Sequence, residues 1–235
     1  MKHRLRWLPN ALTLGNATLG GLTVAHLDTW TEIQVVLAIG VCLLLDFFDG
    51  ALARLLNASG PLGKQLDSLA DVISFGFLPA AMSVQVLEQV LPVELAPQVS
   101  YLGWLILPAS ALRLGRFNLD EDQRQDFKGL PTPANALFWA LLWWNFNSPN
   151  FIPGQTLMAW SALLALALSV YFLNAPFWLF SLKSVGLTWK NMRFRLLFLA
   201  VGLGIVILGN PNWFWLLLPA YALISYLHFR QKPES

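Results

Sequence analysis

The sequence predicts an all-α integral membrane protein, a bundle of about eight transmembrane helices with both termini cytoplasmic. Four observations point there. Of 235 residues, 56% are hydrophobic and 12% charged, where a soluble domain carries about 25% charged residues. The mean hydropathy is +0.56. Apolar runs close to the roughly 20 residues that a spanning helix needs recur along the whole chain. All 15 Lys and Arg fall on one side of the topology these runs define. This excludes a disordered chain, a nucleic-acid binder with a basic face and an ordinary water-soluble enzyme. The single cysteine, Cys42, lies inside an apolar run, so neither an internal disulfide framework nor a cysteine zinc site is available.

The segments follow in order. Asn10 to Leu27 is weak by hydropathy, because Asn16, Thr18 and several glycines interrupt it. It is too polar for a signal peptide and has no small-residue cleavage site. Lys2, Arg4 and Arg6 precede it. Ile33 to Leu56 ends on Arg54, and Asp67 to Leu87 follows Lys64, so the turn between them is basic. Val99 to Leu114 ends on Arg113, with Arg116, Arg124 and Lys128 beyond. Pro131 to Phe146 and Gln155 to Leu173 come next, then Lys183, Lys190, Arg193 and Arg195. Arg193 to Leu208 and Trp213 to His228 complete the set, with Arg230 and Lys232 after them. The opposite side carries Asp28, Glu32, Glu88 and Glu94 and no Lys or Arg. Such segregation follows the positive-inside rule and requires an even number of spans. Trp7, Trp30, Trp178, Trp189, Trp213 and Trp215 sit near segment ends, where amphipathic rings anchor at the interface. Pro176 to Lys190 mixes Trp, Phe and Lys and reads as an amphipathic interfacial stretch. His3, His26 and His228 fall at segment ends and read as interfacial. The chain reads as one domain, 1–235, with a core of about 9–146 and additional helices over 155–229.

Ionisable groups at membrane depth are costly and need a reason. The second and third segments carry Asp46, Asp49, Asp67 and Asp71. Spacings of three and four place each pair on one helix face. A short hairpin with antiparallel packing brings all four together near the inner interface. Four carboxylates there must partly protonate or be compensated by a cation. Hard divalent cations with oxygen ligands fit best, and two of them would clamp a displacement at phosphorus. Carboxylates paired to Arg or Lys on other helices, and a transporter ion pathway, are the alternatives. Gly50 and Ala53 follow Asp46 by four and seven residues and leave a groove beside it for a phosphate ester. Gly63 is expected in the turn before the third helix.

The pattern Asp46-x2-Asp49-Gly50-x2-Ala53-Arg54-x8-Gly63-x3-Asp67-x3-Asp71 resembles the signature of the CDP-alcohol phosphotransferase family at every fixed position. The flanks resemble one branch, the CDP-diacylglycerol–serine O-phosphatidyltransferases. They are Pro9-Asn10-x2-Thr13-x2-Asn16-x3-Gly20, the run from Asp67 to Ala80, Leu112-Arg113-Leu-Gly-Arg116-Phe117-Asn118, and Phe127-Lys128-Gly129-Leu130-Pro131-x-Pro133-Ala134. Together they reach from Pro9 to Ala134; beyond that the likeness is thin. Gly115 and Asn135 stand where the branch more often has alanine, and no basic residue stands near Phe177.

The resemblance implies an integral membrane enzyme that displaces CMP from CDP-diacylglycerol with the hydroxyl of L-serine, using two Mg2+ or Mn2+ ions. It implies Asp46, Asp49 and Asp67 as metal ligands and Asp71 as the base, with Asp71 sharing in the metal site. It places Gly50, Ala53, Arg54 and Gly63 along the CDP moiety, with Asn10 and Thr13 offering uncharged hydrogen bonds at a helix start; a helix cap is the other reading of Asn10. Carboxylate and phosphate both favour guanidinium and ammonium partners, so Arg113, Arg116, Asn118 and Lys128 are expected to form the acceptor pocket. Basic residues at an inner helix end are also explained by topology alone. Arg124, among Asp120, Glu121, Asp122 and Asp126, reads as a solvated loop. The expected setting is a prokaryotic inner membrane, with membrane lipids around a homodimer whose site faces the cytoplasm. Glycerol 3-phosphate, inositol phosphate or choline as acceptor, a cation-coupled carrier, and a structural scaffold are the competing readings.

Overall fold

The computed structural model describes residues 6–119, 127–147, 156–176, 178, 179, 220 and 224. The seventh and eighth segments, Trp189, most of the stretch from Pro176 to Lys190, Arg124 with its acidic neighbours, His3 and His228 lie outside the described residues, as does the side chain of Lys128.

Helix α1 (Leu8–Ala25) has a proline in its first turn and buries Pro9, Thr13, Asn16, Gly20 and Thr23. That stripe repeats at four and three residues and is made of small and polar side chains, while Leu14 and Leu22 point outward. The inversion suits a membrane helix, where small and polar residues make the protein contacts and leucines meet lipid. Helix α2 (Glu32–Leu55) begins with a capping box, in which Gln34 N–H donates to Thr31 Oγ1 and Thr31 N–H to Gln34 Oε1. It ends by curling back, with Ala58 N–H donating to Ala53 O and Asn57 N–H to Arg54 O. Asn57 holds the left-handed conformation this ending requires (φ 48°), which asparagine tolerates better than most residues.

Only residues 56–60 separate α2 from α3 (Pro61–Val72), which starts with proline in its first turn. A π-helical turn, Ile73–Phe77, leads straight into α4 (Leu78–Val90). Pro79 has no N–H to give Phe75 O, which weakens the α-helical ladder there. Leu78 N–H reaches back five residues to Ile73 O. Helix α4 is buried over most of its surface and forms the centre of the core with Trp139, Trp143 and Ile106.

A short helix, α5 (Ala96–Val99), and a 3-10 stretch, Ser100–Leu105, precede α6 (Ile106–Leu119). Gly103 lies directly on α4: a Cβ there would come 2.8 Å from Val84 N. The segments at 131–146 and 155–173 form α7 (Thr132–Asn147) and α8 (Thr156–Leu173). The loop before α7 is pinned to the end of α8. Leu130 N–H donates to Phe172 O at 2.7 Å, and β1 (Phe127–Lys128) pairs antiparallel with β2 (Trp178–Leu179). Gly129 (φ +78°) permits this, since a Cβ there would meet Leu173 O.

The described residues form a helical bundle in which Glu32–Leu55 and the continuous Pro61–Val90 are long and apolar enough to cross a membrane. The six described segments fall where the apolar runs place them, with two differences. The third helix starts at Pro61 rather than Asp67, because a helix extending beyond the apolar core needs no apolar residues there. The fourth starts as a 3-10 coil. The close antiparallel packing expected of the second and third segments is also replaced by another arrangement: α1 packs along both α2 and α3, which touch each other little.

Hydrogen bonds mark the two ends. At one, Arg6 Nη2 donates to Asn57 O and Lys64 Nζ to Asn118 O. At the other, Gln85 Nε2 donates to Asp28 Oδ1 and Trp143 Nε1 to Gln85 Oε1.

Candidate active site

Asp46 and Asp49 stand one turn apart near the end of α2, and Asp67 on α3 faces them across the short turn. One carboxylate oxygen from each lies within 4.8 Å of the others. Asp49 is buried, and Asp46 and Asp67 are half-buried. The α2–α3 turn, rather than close helix packing, sets this meeting, so side chains bridge the gap between the two helices. Asp71, one turn beyond Asp67, lies within electrostatic reach of Asp46, Asp67 and Asp49, with Arg113 as the opposing charge. Its Oδ1 is sealed from solvent and has no hydrogen-bond partner among the described residues. A buried polar atom without a partner is rare and usually marks a functional demand.

Residues of α1 reach the same place. The Thr13 hydroxyl donates to Asp49 Oδ2 at 2.6 Å. Asn10 is in the first turn of α1 and does not cap it; the cap position is Trp7, with no side-chain cap. Gly63 lies inside the first turn of α3 rather than in a turn before it, since Pro61 has already started the helix. Its role is a close approach: a Cβ there would come 3.3 Å from Asn10 Oδ1. The Arg54 side chain folds back toward Gly50, where a Cβ would lie 3.8 Å from Nη1. Ala53 is half-buried on the same helix.

The basic end of α6 divides into different roles. Arg113 is buried, its guanidinium carbon 6.0 Å from the Phe117 ring centre. Arg116, three residues on, is exposed and donates to Asn174 Oδ1 at 3.4 Å. Asn118 works as a strut: its Nδ2 donates to Ser68 Oγ at 2.6 Å, and its carbonyl accepts from Lys64 Nζ at 2.8 Å. Both bonds tie α6 to the turn of α3 that carries Asp67.

Comparison with known proteins settles what this arrangement belongs to. Residues 6–173 match the family described as CDP-alcohol phosphatidyltransferase. The chain belongs to that family. All four aspartates, and every helix that supports them, lie inside the matched span. Several curated relatives carry the name CDP-diacylglycerol–serine O-phosphatidyltransferase. The one from Bacillus subtilis (strain 168) is 32% identical over 146 residues, covering 61% of this chain and 78% of that protein. The one from Helicobacter pylori (strain ATCC 700392 / 26695) is 28% identical over 161 residues, 63% of this chain and 62% of the relative. The one from Mycobacterium leprae (strain TN) is 31% identical over 144 residues, 57% of this chain and 45% of the relative. The chain thus spans most of the first relative and less than two thirds of the other two.

CDP-alcohol phosphatidyltransferases work with divalent metal ions, and the residues present fit one. The cluster offers only carboxylate oxygens, the donors that hard divalent cations prefer. Three like charges so close, one buried and two half-buried, also call for a positive counterpart. Members of this family are membrane enzymes, in agreement with the two long apolar helices.

Three further residues support the site. Ser68 carries the Asn118 strut. Asn174 accepts from Arg116, and its Nδ2 donates to Ala109 O at 2.8 Å. Ser74, in the π turn, donates to Asn16 O at 3.0 Å. Gly20 lies over Ser74, where a Cβ would come 2.9 Å from Ser74 Cα, so α1 and the π turn meet backbone to backbone. Ser68 and Ser74 both fall within the 67–80 run that carries the resemblance, and an asparagine closing an apolar run was the available signal for Asn174.

Proposed function

We propose that this chain transfers the phosphatidyl group of CDP-diacylglycerol to the hydroxyl of L-serine, releasing CMP. The observation that carries this reading is the convergence of Asp46, Asp49 and Asp67 within the matched family span. The names of the curated relatives supply serine as acceptor.

In the reaction a bond forms between serine Oγ and the phosphorus bearing diacylglycerol, and the bond from that phosphorus to the CMP oxygen breaks. Asp46, Asp49 and Asp67 would hold the metal, two Mg2+ or Mn2+ ions in this reading. Bound there, the ions supply charge neutralisation for the donor pyrophosphate and the departing CMP. Asp71 takes the proton of the serine hydroxyl, whose own acidity is far too low for it to ionise near neutrality. Asn10, Gly50, Ala53, Arg54 and Gly63 border the CDP moiety, and Arg54 carries the only charge among them. Arg113, close to Asp71 and buried, orients the serine carboxylate. Arg116 and Lys128 add positive charge at the pocket mouth, and Asn118 holds α6 against α3.

The proposal extends to the setting. Eight spans with cytoplasmic termini put this site at the cytoplasmic face of a prokaryotic inner membrane. The gathering of Arg6, Lys64 and the α2–α3 turn at one end supports that orientation, and the one-sided basic residues do so independently. The acyl chains of the donor then stay in the bilayer while CDP meets the aspartates. The catalytic core is 9–146, and 155–229 completes the same domain; the packing of α8 on α4 and α6 supports this. The resemblance adds a homodimer.

The test is incorporation of labelled serine into lipid by purified protein in detergent with CDP-diacylglycerol. EDTA should abolish incorporation and excess Mg2+ or Mn2+ restore it. Full activity after complete chelation would contradict the reading.

A further inference from the structure

We infer that Thr13 is a positioning residue for the Asp49 carboxylate, and that its hydroxyl serves the metal site rather than the nucleotide. The inference rests on the reading of Asp46, Asp49 and Asp67 as metal ligands. Thr13 Oγ1 lies 2.6 Å from Asp49 Oδ2 and 3.0 Å from Pro9 O. A threonine hydroxyl has one proton. The shorter contact goes to the charged acceptor, and O–H to carboxylate bonds of 2.5–2.7 Å are the stronger kind. The proton therefore belongs to Asp49.

Both partners are sealed: Thr13 is 4% exposed and Asp49 5%. A hydroxyl already donating in a closed environment has no proton left for a cytidine. The two residues are 36 positions apart, on different helices, so the bond also depends on α1 being held in register. The contact of Gly20 with Ser74, and the bond from Ser74 Oγ to Asn16 O, supply that register one and two turns further along α1. Fixing one oxygen of Asp49 limits rotation of the carboxylate and leaves it aimed at Asp46 and Asp67. Partners of this kind around a metal site contribute about 10–100-fold in metal affinity.

The experiment is a Mn2+ titration of the full chain in detergent, with no nucleotide or lipid donor present, reading free Mn2+ by electron paramagnetic resonance. Thr13→Val keeps the shape and removes the donor; Thr13→Ser keeps the donor. We expect T13V to weaken Mn2+ binding by about tenfold and T13S to bind like the parent. Unchanged binding by T13V would overturn the inference, as would an equal loss in T13S. Absence of Mn2+ binding by the parent would overturn the metal reading itself and this inference with it. If T13V does not fold, T13A against T13S gives the same comparison.

Discussion

Asp71→Asn should lower CMP release by about 10²–10⁴-fold, the usual worth of a general base, while leaving Mn2+ binding intact. The substitution keeps the size and removes the ability to take a proton. Asp71 lies outside the group of three that converge within 4.8 Å, so its loss should leave that group's shape alone. Among the described residues it is also the carboxylate with a buried oxygen that has no hydrogen-bond partner, the state expected of a group whose partner is the substrate. Kinetics would show a fall in kcat with little change in the Mn2+ concentration needed for half-maximal rate. Loss of Mn2+ affinity in step with activity would instead make Asp71 a metal ligand first and a base second.

Asp49→Asn should do the opposite, removing metal and activity together. Asp49 is the most buried of the three and the one braced by Thr13. An asparagine still accepts from Thr13, so the local packing survives, but the anionic ligand is gone. The Mn2+ affinity should fall by more than about 100-fold, beyond the range seen for residues that merely support a ligand. A ligand that binds only the folded state raises stability with its concentration. Added Mn2+ should therefore raise the Tm of the parent and leave that of D49N unmoved. A parent Tm indifferent to Mn2+ would speak for carboxylates compensated within the protein.

The pairing of these two variants shows what was legible in the sequence. Spacings of three and four residues have a fixed meaning on a helix, so Asp46 with Asp49 and Asp67 with Asp71 could be placed on shared faces from the chain alone. Apolar length located α1, α2, α7 and α8 to within a few residues. Contacts between distant positions carry no such period. Nothing in the sequence set α1 along both α2 and α3, and so the hydrogen bond from Thr13 to Asp49 was not legible in it. Gly63 read as a loop glycine because Pro61 to Lys64 is too polar for an apolar criterion, yet proline starts a helix there and the missing side chain admits Asn10. Asn118 and Arg116 illustrate the same limit. Their chemistry suits a carboxylate or phosphate, but Ser68 and Asn174 are the groups the fold brings to them.

The polar stripe on α1 was legible only in part. Asn16, Thr18 and the glycines weakened it as a membrane segment by average hydropathy. The structure shows the average to be the wrong quantity, since Thr13, Asn16, Gly20 and Thr23 face protein while Leu14 and Leu22 face out. For a helix between lipid and protein, the arrangement of residues around the axis matters more than their mean.

The central claim is the transfer of phosphatidyl to serine, and an acceptor panel tests it most directly. CDP-diacylglycerol and Mn2+ would be fixed, and L-serine, glycerol 3-phosphate, inositol phosphate and choline supplied one at a time, with CMP and the lipid product both measured and D71N as control. The expected result is phosphatidylserine and an equal amount of CMP with serine alone, lost in the variant. A lipid product with one of the other acceptors, and none with serine, would contradict the account.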